Sequence, residues 1–107
     1  MEKTLKISKD FSPTPGARYR TDGKFSGQEF YETVLKRCFE EILKLKYKLR
    51  IILDGTHGYA TSFLDEAFGT LAKDFGVDVV KKNVVFISEE EPYLVNEINE
   101  YITNAHS

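Results

Sequence analysis

The segment 49–55, Leu-Arg-Ile-Ile-Leu-Asp-Gly, constrains the fold of this chain more than any other part of it. It is a short, almost continuous apolar run that closes in a turn signal. Such a run is typical of a strand buried on both faces of a parallel sheet. Amphipathic helical patterns precede and follow it, so we predict that this strand lies at the centre of a small α/β sheet.

Two further segments predict strands. Residues 4–8 alternate polar and apolar side chains, as in a half-buried strand, and residues 83–88 are rich in β-branched residues. The connection over residues 11–27 is rich in proline and glycine, and we expect at most a short strand within it, at residues 17–19. Connections of this length are often functional.

The first predicted helix follows this connection. Ser26 and Glu29 have the spacing of a capping box, and apolar residues then recur every three or four positions as far as about Leu45. The sequence therefore predicts a long amphipathic helix with one buried stripe.

Two more helices are predicted in the second half of the chain. Ser62, with Asp65 as its capping partner, predicts a helix that ends at Gly76. Pro92 marks the start of the last helix, behind three glutamates that suit a helix N-terminus. The expected fold is α/β, a small, mostly parallel sheet in β-(β)-α-β-α-β-α order with helices packed on it, in one domain over residues 1–107.

Composition and charge exclude several classes of protein. The 15 basic and 17 acidic residues give a net charge of -2, which lacks the positive excess that binds nucleic acids or membrane surfaces. The single cysteine excludes an internal disulfide and a multi-cysteine zinc site. Since no apolar run resembles a signal peptide or a membrane span, we expect a cytoplasmic protein.

The loop after the central strand holds most of the candidate site residues. Ligands of open α/β sheets bind beyond the carboxyl ends of the strands, so we expect the polar side chains here to converge at one edge. They are Asp54, Thr56, His57 and Ser62. The alternative role of Asp54 is an Asx-type turn with Gly55. The alternative for His57 is that it is simply an exposed loop residue. We expect no Ser-His-Asp triad, because a domain this small rarely supplies the required nucleophile turn, oxyanion hole and cleft.

Ser62 has a structural and a functional interpretation. As a helix N-cap it would bond to free amides, and its replacement by alanine would cost about 1 kcal/mol. As a phosphoacceptor it would add up to about two negative charges to a contact surface without melting the helix. Thr61 is the neighbouring candidate, and the sequence alone does not rank the two.

Arg18 and Arg20 flank an aromatic ring in the long connection. Two guanidinium groups could hold a phosphate or the carboxylates of a partner, and Arg18 would face Ser62 if the loop packs beside the second helix. The alternative is a solvated turn, or an ion pair with Asp22 or Asp10.

Tyr59, Asp65 and Glu66 complete the candidate surface for a partner or ligand. Asp65 and Glu66 are adjacent on a helix and point about 100° apart, which argues against joint acid–base or metal chemistry. The acidic run 89–91 also lacks the spacing of a metal loop. We therefore expect no metal and no cofactor.

Residues 54–69, DGTHGYATSFLDEAFG, resemble the central motif of the STAS-like domain proteins of unknown function. In that motif an aspartate ends a strand and a glycine-containing loop leads to a Phe-x-Asp-Glu-x-Phe helix start. Segments 15–18 and 25–30 are similar to the N-terminal signature of the same family. A more remote similarity is to the anti-sigma factor antagonists, small STAS domains with a serine that an anti-sigma kinase of the histidine-kinase ATPase superfamily phosphorylates.

The resemblance implies a STAS-like fold and a non-enzymatic regulatory role. The domain would dock a protein partner, of the histidine-kinase-like ATPase or anti-sigma type, through residues 58–68, with Ser62 or Thr61 as a phosphorylation switch. The alternative is a phosphate- or nucleotide-binding sensor, or a minimal enzyme, that uses Arg18 and the helix N-terminus at Ser62. A missing P-loop motif weakens this alternative. A solvent-facing sheet edge, such as that of the first strand, leaves room for a homodimer.

Overall fold

Three parallel strands form the sheet in the computed structural model, which describes residues 1–105. The strands are β1 (Glu2–Lys6), β2 (Lys48–Ile52) and β3 (Val84–Ile87), in the spatial order β1-β2-β3. Leu5 of β1 aligns with Ile51 of β2, and Ile51 aligns with Phe86 of β3. The prediction of a parallel sheet with the run 49–55 at its centre is confirmed.

Helices account for most of the remaining chain. The α-helices are α1 (Ile7–Asp10), α2 (Gly27–Phe30), α3 (Lys36–Leu45), α4 (Thr61–Phe75), α5 (Val77–Asn83) and α6 (Tyr93–Thr103), and a 3-10 turn forms at Arg20–Asp22. A π-helical segment, Tyr31–Leu35, joins α2 and α3 into one continuous helical stretch, residues 27–45. No helix among residues 1–105 is long and apolar enough to cross a membrane.

The cap that starts α2 forms as the sequence predicts. The Ser26 hydroxyl accepts a hydrogen bond from the Glu29 amide at 3.0 Å. The Glu29 carboxylate accepts a hydrogen bond from the amide of Phe25, one residue before the cap. Ser26 is fully buried, so its hydroxyl satisfies an amide that water does not reach.

The secondary structure differs in detail from the prediction. The first strand ends at Lys6, because Ile7 begins the single turn α1. No strand forms at residues 17–19, which the prediction of at most a short strand allows; the carbonyls of Ala17 and Arg18 accept hydrogen bonds from the first amides of α2. A helix that the sequence reading did not predict, α5, follows Gly76 directly.

Within residues 1–105, helices cover one face of the sheet only. Leu5, Ile51 and Phe86 point into the core, where Phe30 stacks on Phe63 with ring centroids 5.6 Å apart. The residues that alternate with them in the strands face away from the core; Val85 is 50% exposed and Ile52 is half-buried. The prediction that the central strand is buried on both faces is therefore wrong.

Gly27 lies where α2 packs against α4. A Cβ atom at this position would lie 2.5 Å from the Phe63 carbonyl oxygen and 3.1 Å from the Glu66 Cβ. No side chain fits this gap, so the close packing of the two helices requires glycine here.

Replacing Gly27 with alanine should lower the free energy of unfolding by about 1–3 kcal/mol, because the added methyl group forces α2 away from α4. Gly69→Ala is the matched control, since the Cβ atom there would meet its nearest neighbour, Asp65 Oδ1, at an ordinary 3.5 Å. We expect Gly69→Ala to leave stability unchanged or raise it by up to about 1 kcal/mol, because alanine is the better helix former. Urea denaturation of both variants measures the difference; equal effects would contradict this account of the helix contact.

Candidate functional site

Asp54 braces the loop that follows β2. Its carboxylate accepts hydrogen bonds from the Glu89 amide at 3.0 Å and from the Glu90 amide at 2.9 Å. The Glu90 carboxylate in turn accepts a hydrogen bond from the Gly55 amide at 2.8 Å. The hydrogen bonds from the amides of Glu89 and Glu90 lower the pKa of Asp54. Asp54 thus ties the end of β2 to the turn after β3, rather than closing a turn on Gly55.

The rest of the loop is also held by hydrogen bonds within the protein. The Tyr59 hydroxyl donates to the Leu53 carbonyl at 2.7 Å, and burial raises the pKa of Tyr59 to about 12. The His57 amide donates to the Pro13 carbonyl at 2.8 Å. The Thr56 hydroxyl oxygen accepts from the Gly58 amide at 3.3 Å. The His57 side chain is left exposed, as its alternative interpretation holds.

Helix α4 begins two residues earlier than a cap at Ser62 would place its start. Ala60 is the N-cap, so it offers no side-chain acceptor, and Thr61 and Ser62 are the first two helical residues. The prediction that Ser62 caps the helix is wrong. Thr61 is exposed and Ser62 half-buried, and neither hydroxyl has a hydrogen-bond partner within the described range 1–105. This end of α4 therefore presents two hydroxyl groups beside main-chain amides that lack a side-chain cap.

Arg18 lies against α4, but its partners are carboxylates. Its Nη1 donates to Asp65 Oδ2 at 2.9 Å and lies 3.6 Å from Glu66 Oε1. The hydrogen bond to Asp65 raises the pKa of Arg18. Asp65 is thus the ion-pair partner of Arg18, and the prediction that it caps with Ser62 is wrong.

Arg20 does not share this contact. Its Nε donates to the Glu32 carboxylate at 2.9 Å, on the helical stretch 27–45. The hydrogen bonds of residues 17 and 18 to α2 fold the connection back along that stretch. Asp10 and Asp22 accept hydrogen bonds from the main-chain amides of Lys6 and Tyr19. The alternative ion pairs of the arginines with Asp10 or Asp22 do not form among residues 1–105.

A cavity of about 270 Å³ lies beside the Arg18 ion pair. Its charged lining consists of Arg18 and Lys73 against Asp65 and Glu66, so the charges balance. Its other lining residues include Thr70, Tyr101 and Asn104. Sequence reasoning missed Thr70 and Lys73, although the polar spacing 66, 70, 73 along α4 signals a shared helix face.

The predicted site residues therefore form two groups. The first comprises Asp54, Thr56, His57 and Tyr59, with Thr61 and Ser62 at the following helix start. The second comprises Arg18, Asp65 and Glu66 at the cavity. No hydrogen bond within residues 1–105 joins Asp54, His57 and Ser62 as a triad, and no group of three or more metal-ligating side chains occurs in that range.

Comparison with known proteins gives one match. A family model described as a STAS-like domain of unknown function matches residues 26–94. The matched region starts at the Ser26 cap and includes β2, the loop, α4 and β3. Searches of the curated proteins and of the solved structures found no match.

Replacing Asp54 with asparagine should lower the free energy of unfolding by about 1 kcal/mol at neutral pH, because the amide group cannot accept both main-chain hydrogen bonds as an anion does. Since the folded-state pKa is lowered, the stabilisation is fully present above the ordinary aspartate pKa of about 3.9 and is lost as the pH falls through the lower folded value. Denaturation as a function of pH measures this. Glu89→Gln is the control, because only its main chain contacts Asp54; a difference between Asp54→Asn and wild type that persists in acid would contradict the charge-based account.

Proposed function

The chain belongs to the family of STAS-like domains of unknown function, and from this premise we propose that it is a non-enzymatic regulatory module that docks a protein partner. The docking region is the loop–α4 surface, defined as residues 54–60 together with Thr61 and Ser62. The observation that carries the proposal is how firmly this loop is held. Asp54, Thr56 and Tyr59 all bond to the protein's own main chain.

A loop held in this way suits recognition. Its exposed residues need little ordering when a partner binds, because a preorganised surface loses less conformational entropy on association. They are Gly55, His57, Ala60 and Thr61. Most pre-organised interfaces also move little on binding.

The same hydrogen bonds argue against catalysis at this loop. The Asp54 carboxylate accepts hydrogen bonds from two amides, which lower its pKa and so make it a weaker general base. The Tyr59 hydroxyl proton is donated to the Leu53 carbonyl. The proposal therefore assigns no catalytic step to this domain.

Phosphorylation of Thr61 or Ser62 is the proposed switch. A phosphate at the first turn of α4 would lie at the positive end of the helix dipole, and no side-chain cap competes for the amides there. Accessibility favours Thr61, which is exposed, over Ser62, which is half-buried. Ser62 lies one helical turn before Asp65 and Glu66, so a phosphate on Ser62 would also compete with them for Arg18.

The partner class comes from the family resemblance alone. Anti-sigma factor antagonists respond to kinases of the histidine-kinase ATPase superfamily, so we propose an ATPase or anti-sigma-type protein as the partner. Such a partner would read the charge on the loop–α4 surface directly, because adding up to about two negative charges changes the complementarity of a contact.

Capture from a lysate of the native host with ATP present, followed by mass spectrometry, tests this proposal. We expect an ATPase-type partner and phosphate on Thr61 or Ser62. Thr61→Asp and Ser62→Asp should keep the fold, because a carboxylate suits the start of a helix. Each should change the amount of captured partner by roughly tenfold.

Ser62→Ala should alter the free energy of unfolding by less than about 0.5 kcal/mol, because the Ser62 hydroxyl caps no amide.

Thr21→Asp is the matched control, since it adds the same charge at an exposed position in the long connection. Its capture should equal that of wild type. If Thr61→Asp and Ser62→Asp also capture the partner as wild type does, the loop–α4 surface is not the docking site.

A phosphate or nucleotide sensor is the second candidate function. The presence of Arg18 and Lys73 in the lining of the cavity favours it, whereas the contacts of Arg18 with Asp65 and Glu66 disfavour it, because these carboxylates already compensate the guanidinium charge.

Thermal unfolding with millimolar ATP or GTP separates the two functions. A ligand at about 100 times its dissociation constant adds about 2.7 kcal/mol, which corresponds to a Tm increase of roughly 10 °C or more for a domain of this size. We expect the docking module to show no increase above about 1 °C. A large increase that Arg18→Met abolishes would establish the sensor instead.

A further inference from the structure

The outer edges of β1 and β3 differ in how well they are protected against pairing with another chain. Edge strands are commonly guarded by charged residues or proline, which discourage pairing with another chain. β1 has Glu2, Lys3 and Lys6, whereas β3 consists of Val-Val-Phe-Ile and has no charged residue and no proline. The β3 edge is therefore the less protected end of the sheet.

The backbone of Phe86 is available at this edge, whereas the Val84 amide donates to the Val80 carbonyl. The Ile87 carbonyl accepts a hydrogen bond from the Leu53 amide at 2.9 Å, so the backbone groups of Ile87 face the centre of the sheet. Backbone groups alternate in direction along a strand, which leaves the amide and carbonyl of Phe86 facing outward.

Space for a further strand lies beside these groups. An open groove of about 500 Å³ is lined by Lys81, Val84, Val85, Phe86, Val95 and Asn99. Val85 is 50% exposed, on the face of the sheet that no helix covers. An added strand would therefore remove apolar surface from water as well as pair the Phe86 backbone.

The charges next to β3 specify which strand fits. Lys81 and Lys82 precede the strand, and Glu89 and Glu90 follow it; the side chains of Lys82 and Glu89 form no hydrogen bond or ion pair with any other described residue. An identical strand in the antiparallel direction would set the lysines of each chain beside the glutamates of the other. A parallel arrangement would set like charges together, which is unfavourable.

We propose that a second copy of this chain pairs antiparallel with β3, about a two-fold axis normal to the sheet and close to Phe86. The two three-stranded sheets then form one continuous six-stranded sheet. On its uncovered face Val85 lies beside Ile87 of the partner subunit, and beyond the paired strands Lys82 lies near Glu89 of the partner subunit and Glu90 of the partner subunit. The contact is isologous, so the pairing closes at a dimer. It does not rest on the proposed docking function.

Analytical ultracentrifugation over a range of concentrations tests the dimer. Wild type should move from 12.3 kDa toward twice that mass as its concentration rises. Lys82→Glu should raise the dissociation constant roughly tenfold, because two attractive pairs become repulsive. The charge swap Lys82→Glu with Glu89→Lys should restore much of the affinity. Lys24→Glu, the same charge change at an exposed loop residue, should behave as wild type.

Val85→Lys addresses the strand itself. It should also raise the dissociation constant at least roughly tenfold, because it places a charge on the pairing edge. Thr4→Lys is its matched control, since Thr4 is exposed on the same uncovered face but lies on β1. Its dimer should be unaffected.

Hydrogen exchange provides a second measurement that does not depend on variants. The Phe86 amide should become protected roughly tenfold or more as wild-type protein changes from monomer to dimer, whereas amides of β1 should not change. A wild-type protein that stays monomeric up to its solubility limit would overturn the proposal. So would a dimer that Val85→Lys leaves intact, or one that Thr4→Lys disrupts, since either result places the contact elsewhere.

Discussion

The close approach of α2 to α4 at Gly27 is the contact on which much of the structure depends. It brings the start of α2 onto the main chain of Phe63, and so lets Phe30 stack on Phe63 over the sheet. Because residues 17 and 18 bond to the first amides of α2, the same contact carries the long connection toward α4 and sets Arg18 against Asp65. One glycine thus links the aromatic core to the charged cavity.

The ends of the strands are joined by a second set of contacts, which is polar. The Asp54 carboxylate accepts a hydrogen bond from the turn after β3, and the Glu90 carboxylate accepts one from the Gly55 amide. The Tyr59 hydroxyl donates to the Leu53 carbonyl at the end of β2. These are hydrogen bonds to main-chain groups, so they hold the position of the loop without using an apolar core. A surface loop gains a defined shape in this way, and the proposed docking role of the loop–α4 surface depends on that shape.

Local patterns predicted the parts of the fold that local physics decides. The apolar run 49–55 marked the central strand, and the spacing of Ser26 and Glu29 marked the helix start that forms. The predictions were wrong where a side chain had two possible hydrogen-bond or ion-pair partners. Ser62 has the chemistry of a cap, yet α4 begins at Thr61 and leaves its hydroxyl unused, while Asp65 pairs with Arg18, 47 positions earlier. Helix α5 was missed because Gly76, a strong stop signal, separates two helices here rather than ending the helical region.

By itself, the sequence determined the class of this protein. Periodicity and helix caps report contacts between residues that are close in the chain, so they specify a parallel α/β sheet and its central strand. The motif at residues 54–69 resembles the STAS-like family, which the family model confirms. Only the tertiary structure decided what the polar residues do. Asp54 holds a turn 35 positions away, Arg18 faces two carboxylates, and one face of the sheet stays open. These outcomes depend on which distant groups the fold brings together, and no local pattern carries that information.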